Sequence, residues 1–90
     1  MNKTEFVTQT ARAIGESNST IDRSLSAILN TVRVALITGD SVKLAEFGTF
    51  KLIRREQREG INPRNQEPII IPAHNAIVFV PSQKLKTLVN

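Results

Sequence analysis

The sequence predicts an α+β protein: a helical hairpin base, a three-stranded antiparallel sheet with a long protruding β-ribbon arm, and a short C-terminal helix. Three observations carry that reading. Apolar residues recur every three or four positions as far as Ile37, then every second position after Asp40. The stretch Arg54–Pro68 has almost nothing to bury, yet strand-like runs flank it on both sides. No repeat, linker or low-complexity run divides the 90 residues, so a single domain over 1–90 is expected. Within it the helical base takes 1–40, the sheet 41–81 with its arm at about 54–68, and the last helix 82–90.

The elements follow in order. Asn2 with Glu5 three residues on has the spacing of an N-cap and its reciprocal partner. Phe6, Val7, Thr10, Ala11 and Ile14 then keep helical spacing up to Gly15, a natural stop. Ser17-Asn-Ser-Thr20 reads as a turn rich in capping side chains. From Ile21 a second, longer helix carries Leu25, Ile28, Leu29, Val32, Leu36 and Ile37 on one side and ends at Gly39-Asp40. Val42 and Leu44 alternate with polar or small neighbours in a short strand. Glu46-Phe-Gly-Thr49 is a tight turn in which Gly48 is expected to take positive φ. A second strand from about Thr49 holds Phe50, Leu52 and Ile53 and runs on into the arginine-rich stretch. Gly60 and Asn62-Pro63 mark the far end, and Pro68-Ile-Ile-Ile-Pro72 begins a return completed by Ile77-Val-Phe-Val80. Pro81-Ser82 opens the closing helix, with Leu85, Leu88 and Val89 on its apolar side.

Bulk composition narrows the function. With the polar stretch set aside, roughly 70 residues remain to make a core, a size at which burial is marginal for one chain. Disulfides are excluded because there is no cysteine, and one histidine, His74, makes a protein-only metal site implausible. Oligomerisation is the remaining route to stability. Twelve Lys and Arg against eight Asp and Glu give a net charge of +4, which suits an anionic partner, nucleic acid or membrane surface. No apolar run approaches the ~18 residues of a membrane span, and Met1–Phe6 reads as neither a signal nor a transit peptide. Absence of cysteine fits a reducing cytosol. No catalytic constellation, cofactor motif or small-molecule site is expected.

The arm carries the chemistry. At ~3.3 Å per residue, a strand from Arg54 to Asn62 would reach about 30 Å, and an isolated ribbon of this kind is only marginally stable in water. Arginine suits such an arm because its planar fork grips phosphate. Pro63 at the tip offers a compact rigid ring able to wedge between stacked bases. Taken singly, Asn62-Pro63 reads as a turn and the arginines as a solvated face. Their conjunction in one extended ribbon points to nucleic acid. Four phenylalanines without tyrosine or tryptophan give no stacking platform for single strands, which favours a duplex.

These residues resemble the bacterial histone-like family that includes HU and integration host factor. The resemblance spans essentially all 90 residues and rests on Met1-Asn-Lys-Thr-Glu5, Gly39-Asp40, Phe47-Gly-Thr-Phe50, Arg55…Arg58-x-Gly60-x-Asn62-Pro63, Ile71-Pro-Ala73 and Pro81…Leu85-Lys86. It implies an intertwined dimer, homodimeric or heterodimeric, whose two arms embrace double-stranded DNA through the minor groove. In such proteins the tip proline intercalates and the duplex bends, compacting a cytoplasmic nucleoid. On that resemblance Arg55, Arg58, Asn62 and Pro63 carry over as arm contacts, and Lys3 and Lys86 as contacts to flanking phosphates. Phe47, Phe50 and Phe79, joined by Leu29, Val32, Leu36 and Leu44, are expected in the dimer core.

The pattern also breaks. Ile53 and Ile61 stand where the family has arginines, Glu59 where lysine is frequent, and Val80 and Gln83 where lysines are common. Arg54, Arg64 and Lys84 are expected to compensate in part, although strand neighbours face opposite sides. Asn65 is expected to supply a left-handed residue in the tip turn. Ile61 beside Pro63 is read either as an apolar contact to the groove floor or as a packing change. Weaker or more selective binding follows as the expectation. The leading function is thus an architectural, largely non-specific DNA bender. A sequence-selective bender like integration host factor is the near alternative, and a protein-interaction module or an RNA-binding ribbon the more distant ones.

Overall fold

A computed structural model describes residues Met1–Asn90, which divide into two units, Met1–Val34 and Ala35–Asn90. In the first unit, α1 (Lys3–Ile14) starts where the Asn2 side chain accepts the Glu5 amide at 2.9 Å, and it ends on Gly15 at φ 72°. The turn expected at 17–20 is instead mostly helix. Ser17 Oγ accepts the Thr20 amide at 3.1 Å and so caps α2 (Asn18–Ile37) three residues earlier than apolar spacing alone indicates. Val7, Ala11 and Ile21, with Leu25 against them, form this unit's core. The end of α2 lies in the second unit. Gly39, at φ 83°, lets its amide reach Leu36 O at 3.1 Å and the Asp40 amide reach Ala35 O at 2.9 Å. That double closure satisfies the last carbonyls and requires a left-handed residue, which glycine adopts without a Cβ penalty.

The second unit also holds the expected three-stranded sheet and ribbon arm, with the two long strands each broken in two so that five strands are present. β1 (Val42–Leu44), β2 (Gly48–Arg55) and β5 (His74–Pro81) make an antiparallel sheet in the order β1-β2-β5. β3 (Arg58–Ile61) and β4 (Pro68–Ile71) make a separate two-stranded ribbon. The long strands are interrupted at one level, between the pairs Arg55↔His74 and Arg58↔Ile71. Pro72, which has no amide hydrogen to give to a ladder, lies in that gap. The ribbon proper is therefore four residues long on each side, about 13 Å, and not the continuous 30 Å strand that the composition suggests. α3 (Gln83–Val89) closes the chain, with Ser82 Oγ accepting the Leu85 amide at 3.1 Å.

The β1–β2 turn differs from expectation in an informative way. The residue at positive φ is Glu46, at 66°, and Gly48 is the first residue of β2. Gly48 is needed for space instead of conformation. A Cβ there would lie 2.6 Å from both Phe79 Cζ and Val80 O. The ring of Phe79 thus lies directly over the Gly48 backbone, 5.4 Å from the Phe47 ring and 4.8 Å from the Phe50 ring, tilted against each.

Candidate nucleic-acid interface

Directly paired residues in an antiparallel sheet share a face, and neighbours along a strand alternate. The observed register therefore assigns every side chain of the β1-β2-β5 sheet. One face holds Lys43, Thr49, Lys51, Ile53 and Arg55 with Val80, Val78, Ala76 and His74 across from them. It bears three permanent cations and no carboxylate. The other face holds Val42, Leu44, Phe50, Leu52 and Arg54 with Phe79, Ile77 and Asn75. A single sheet thus separates a cationic surface from an aromatic one.

This separation decides several residues picked from sequence. Arg55 lies on the cationic face, paired with His74. Arg54 shares a face with Phe50 and Leu52, opposite to the face on which Ile53 stands. Lys51 and Lys43 were missed. The available signal was simple: Lys51 and Arg55 are four apart on one strand and so must point the same way. His74 was noted only as a lone histidine. Its Nδ1 lies 3.0 Å from Pro72 O, which fixes the ring near the gap between sheet and ribbon.

The ribbon has two unlike faces as well. Arg58, Gly60, Ile69 and Ile71 share one, while Glu59, Ile61, Pro68 and Ile70 share the other. Ile61 and Ile70 are 69% and 65% exposed, so the second face is open and apolar apart from Glu59. At the tip, Asn62 organises the turn around Pro63. Its amide donates to Glu67 O at 2.8 Å, its carbonyl accepts the Gln66 amide at 2.8 Å, and its Oδ1 accepts the Arg64 amide at 3.0 Å. This side-chain turn spans Pro63 and leaves the ring exposed at the apex. Asn65 Oδ1 accepts the Glu67 amide at 3.0 Å, but the left-handed residue is Gln66, at φ 60°, and not Asn65.

The expected flanking cation Lys3 and the expected compensating cation Lys84 are each engaged with a carboxylate. Lys3 Nζ is 3.4 Å from Asp22, and Lys84 Nζ is 3.1 Å from Glu46. Both pairs are more than half exposed, so solvent screens them and a phosphate could compete. Lys86 lies in the last turn of α3 and Arg64 in the exposed tip. Of the residues expected in a dimer core, Leu36 is buried and Val32 and Phe50 are half-buried. Leu29, Leu44, Phe47 and Phe79 remain 47%, 43%, 46% and 38% exposed in a single copy.

A cationic sheet face continued by a proline-tipped ribbon, with an uncovered aromatic face behind it, defines a β-ribbon protein shaped to meet a polyanion. Comparison with known proteins gives the class its family. Residues 1–90 match the family described as bacterial DNA-binding protein. DNA-binding protein HU of Xylella fastidiosa (strain Temecula1 / ATCC 700964) is 43% identical over 89 residues, covering 99% of this chain and 95% of that protein. HU of Clostridium pasteurianum is 39% identical over 90 residues, 100% of this chain and 99% of that one. The structure of Anabaena HU crystallised with DNA superposes with a TM-score of 0.91 at 35% identity, covering 99% of this chain and 97% of that one. The chain belongs to the bacterial DNA-binding protein family of HU proteins.

Proposed function

We propose that two copies of this chain pair through the aromatic sheet face, seat duplex DNA on the cationic face, and send their ribbons into the minor groove. There Pro63 wedges between base pairs and the duplex bends. The observation that carries this reading is the division of one sheet into a carboxylate-free cationic face and an aromatic face. The first is complementary to phosphate. The second is an apolar surface that one copy leaves uncovered.

Pairing has a magnitude behind it. A folded monomer of 10.0 kDa exposes about 5,200 Å² by the usual scaling. This chain exposes 7451 Å², and the only buried apolar side chains are those of Val7, Ala11, Ile21 and Leu36. The surplus, about 2,200 Å² per copy, includes the ribbon's own surface but is of the order that obligate dimers bury. Leu29, Val32, Leu44, Phe47, Phe50 and Phe79 fall within the proposed dimer core, and a related chain with the same apolar positions would serve as well as an identical one.

In this reading Arg55, Arg58, Lys51 and Lys43 neutralise phosphates along the path. Arg64 acts at the tip, and Lys3, Lys84 and Lys86 engage flanking DNA once the carboxylates of Asp22 and Glu46 release the first two. Unstacking costs a few kcal/mol per step, offset by the additional contact that bent DNA permits. No bond is made or broken. The biological consequence is compaction of a nucleoid in the bacterial cytoplasm. Circularisation of a short duplex tests the proposal, since a bender speeds ring closure. Pro63→Ala should lose most of that acceleration while keeping most of its affinity. Equal loss of both would assign Pro63 a role in folding and refute the wedge.

One observation favours a selective bender over an indifferent one. Within 54–68, Arg54, Arg55, Arg58 and Arg64 face Glu56, Glu59 and Glu67, so the arm is close to charge balance. With a small phosphate contribution, Ile61 and Pro63 weigh more, and apolar contacts read groove width and step deformability. Selective binding survives a large excess of random-sequence duplex, whereas indifferent binding does not.

A further inference from the structure

One group on the cationic face carries a charge that is not fixed. The chain holds one histidine and no cysteine, and histidine is the side-chain type whose charge ordinarily changes between about pH 5 and 8. That residue, His74, is exposed, begins β5 and is paired directly with Arg55 of β2. β5 is an edge strand, so no further strand of this copy lies on its other side.

The ring is held at one nitrogen and open at the other. His74 Nδ1 lies 3.0 Å from Pro72 O. A carbonyl can only accept, so Nδ1 carries the hydrogen and Nε2 is the nitrogen that gains or loses a proton. Protonation therefore adds a second N–H donor and a full charge without disturbing the bond that orients the ring. On the same face stand Arg55 opposite, Lys51 four residues before it along β2, and Lys43 on β1, while Ala76 and Val78 along β5 carry no charge. Beyond the gap, Arg58 opens the ribbon on the face away from Glu59. Glu56, in the interrupted segment, is the carboxylate nearest to Arg55 in sequence. The ion pairs of the chain are Lys3–Asp22 and Lys84–Glu46, so no carboxylate oxygen lies within 4.0 Å of Arg55 or His74.

Two cations directly opposite on a sheet repel each other. An anion placed across them reverses that sign, and a phosphate can accept from a guanidinium and an imidazolium at once. We propose that His74, when protonated, is a DNA contact that closes a two-pronged phosphate clamp with Arg55, so that this chain holds duplex DNA more tightly as pH falls. The inference rests on the proposed duplex-binding role and adds a regulation to it. Affinity is gained as pH falls through the imidazole range and lost as pH rises through it, because only the protonated ring supplies the charge.

The test is fluorescence anisotropy of one short duplex at about pH 6 and about pH 8, each over a salt series, with circular dichroism at both to verify the fold. A dimer presents His74 twice, so the slope of log affinity against log salt should steepen by about 1.8 at the lower pH. Affinity near ~0.1 M salt should rise on the order of tenfold. His74→Gln, uncharged at both pH values, should keep the weaker binding and lose the response. His74→Lys should carry the tighter binding up to the higher pH. A wild-type response retained by His74→Gln would assign it to another group, such as the Met1 amine, and overturn the proposal. So would a His74→Lys variant that binds no more tightly than His74→Gln at the higher pH. Wild-type affinity equal at both pH values would overturn it too, and leave the duplex-binding role standing. Absence of salt-dependent duplex binding at both would instead remove that role, and the inference with it.

Discussion

Arg54 and Arg55 are adjacent, equally charged and both exposed, yet they occupy opposite faces of β2. Their alanine variants should therefore behave differently on DNA, and the difference can be calculated. Each phosphate neutralised contributes about −0.9 to the slope of log affinity against log salt. A dimer presents Arg55 twice, so Arg55→Ala should flatten the slope by about 1.8. Between 50 and 200 mM salt, the wild-type affinity should then fall about 12-fold further than that of Arg55→Ala. Arg54→Ala removes the same charge from the face shared with Phe50 and Leu52, and its slope should match wild type. The assay is fluorescence anisotropy on one short duplex over a salt series, with circular dichroism to verify that both variants are folded. If the two flatten the slope alike, the arginines act as an undirected cloud of charge, and the assignment of DNA to one sheet face is wrong.

Other perturbations probe separate parts of the fold. Gly48→Ala places a methyl 2.6 Å from Phe79 Cζ and Val80 O, and should destabilise the protein by about 1–3 kcal/mol, read as a lowered Tm. Glu46→Gly removes a left-handed non-glycine residue and releases Lys84. Stability should rise by roughly 1 kcal/mol at most, since glycine also loosens the unfolded chain, while titration at low salt should show tighter DNA binding. Asn62→Ala deletes the acceptor of the Arg64 amide and frees the tip turn. Bending measured by circularisation should fall while the salt slope stays at its wild-type value, because no charge has changed.

Periodicity and capping chemistry were legible in the chain because they are local. Asn2, Gly15, Gly39 and Ser82 each end or begin a helix through hydrogen bonds reaching no more than five residues, so spacing alone locates them. Ser17 was the exception: its cap moved the start of α2 into a segment read as a turn. The Pro63 apex was likewise visible, since Asn-Pro turn chemistry is local. The interruption at 56–57 and 72–73 was not, because it depends on two distant segments losing their ladder at one level. Only Pro72 hinted at it.

By itself, then, the sequence determined the helices, the strand-forming runs, the arginine-rich arm and its rigid tip, all consequences of neighbours within a few residues. Tertiary structure alone decided which cations share a surface. Register between strands whose paired residues here lie 27 and 19 positions apart (Lys51↔Val78, Arg55↔His74) put Lys51 and Arg55 on one surface with Val78 and His74, and sent Arg54 to the other. It also decided why Gly48 has to be glycine, through the ring of Phe79 lying over its backbone. The physical reason is that a strand has a period of two but no absolute sense of inside and outside. Only pairing and burial fix which side meets solvent, partner or DNA.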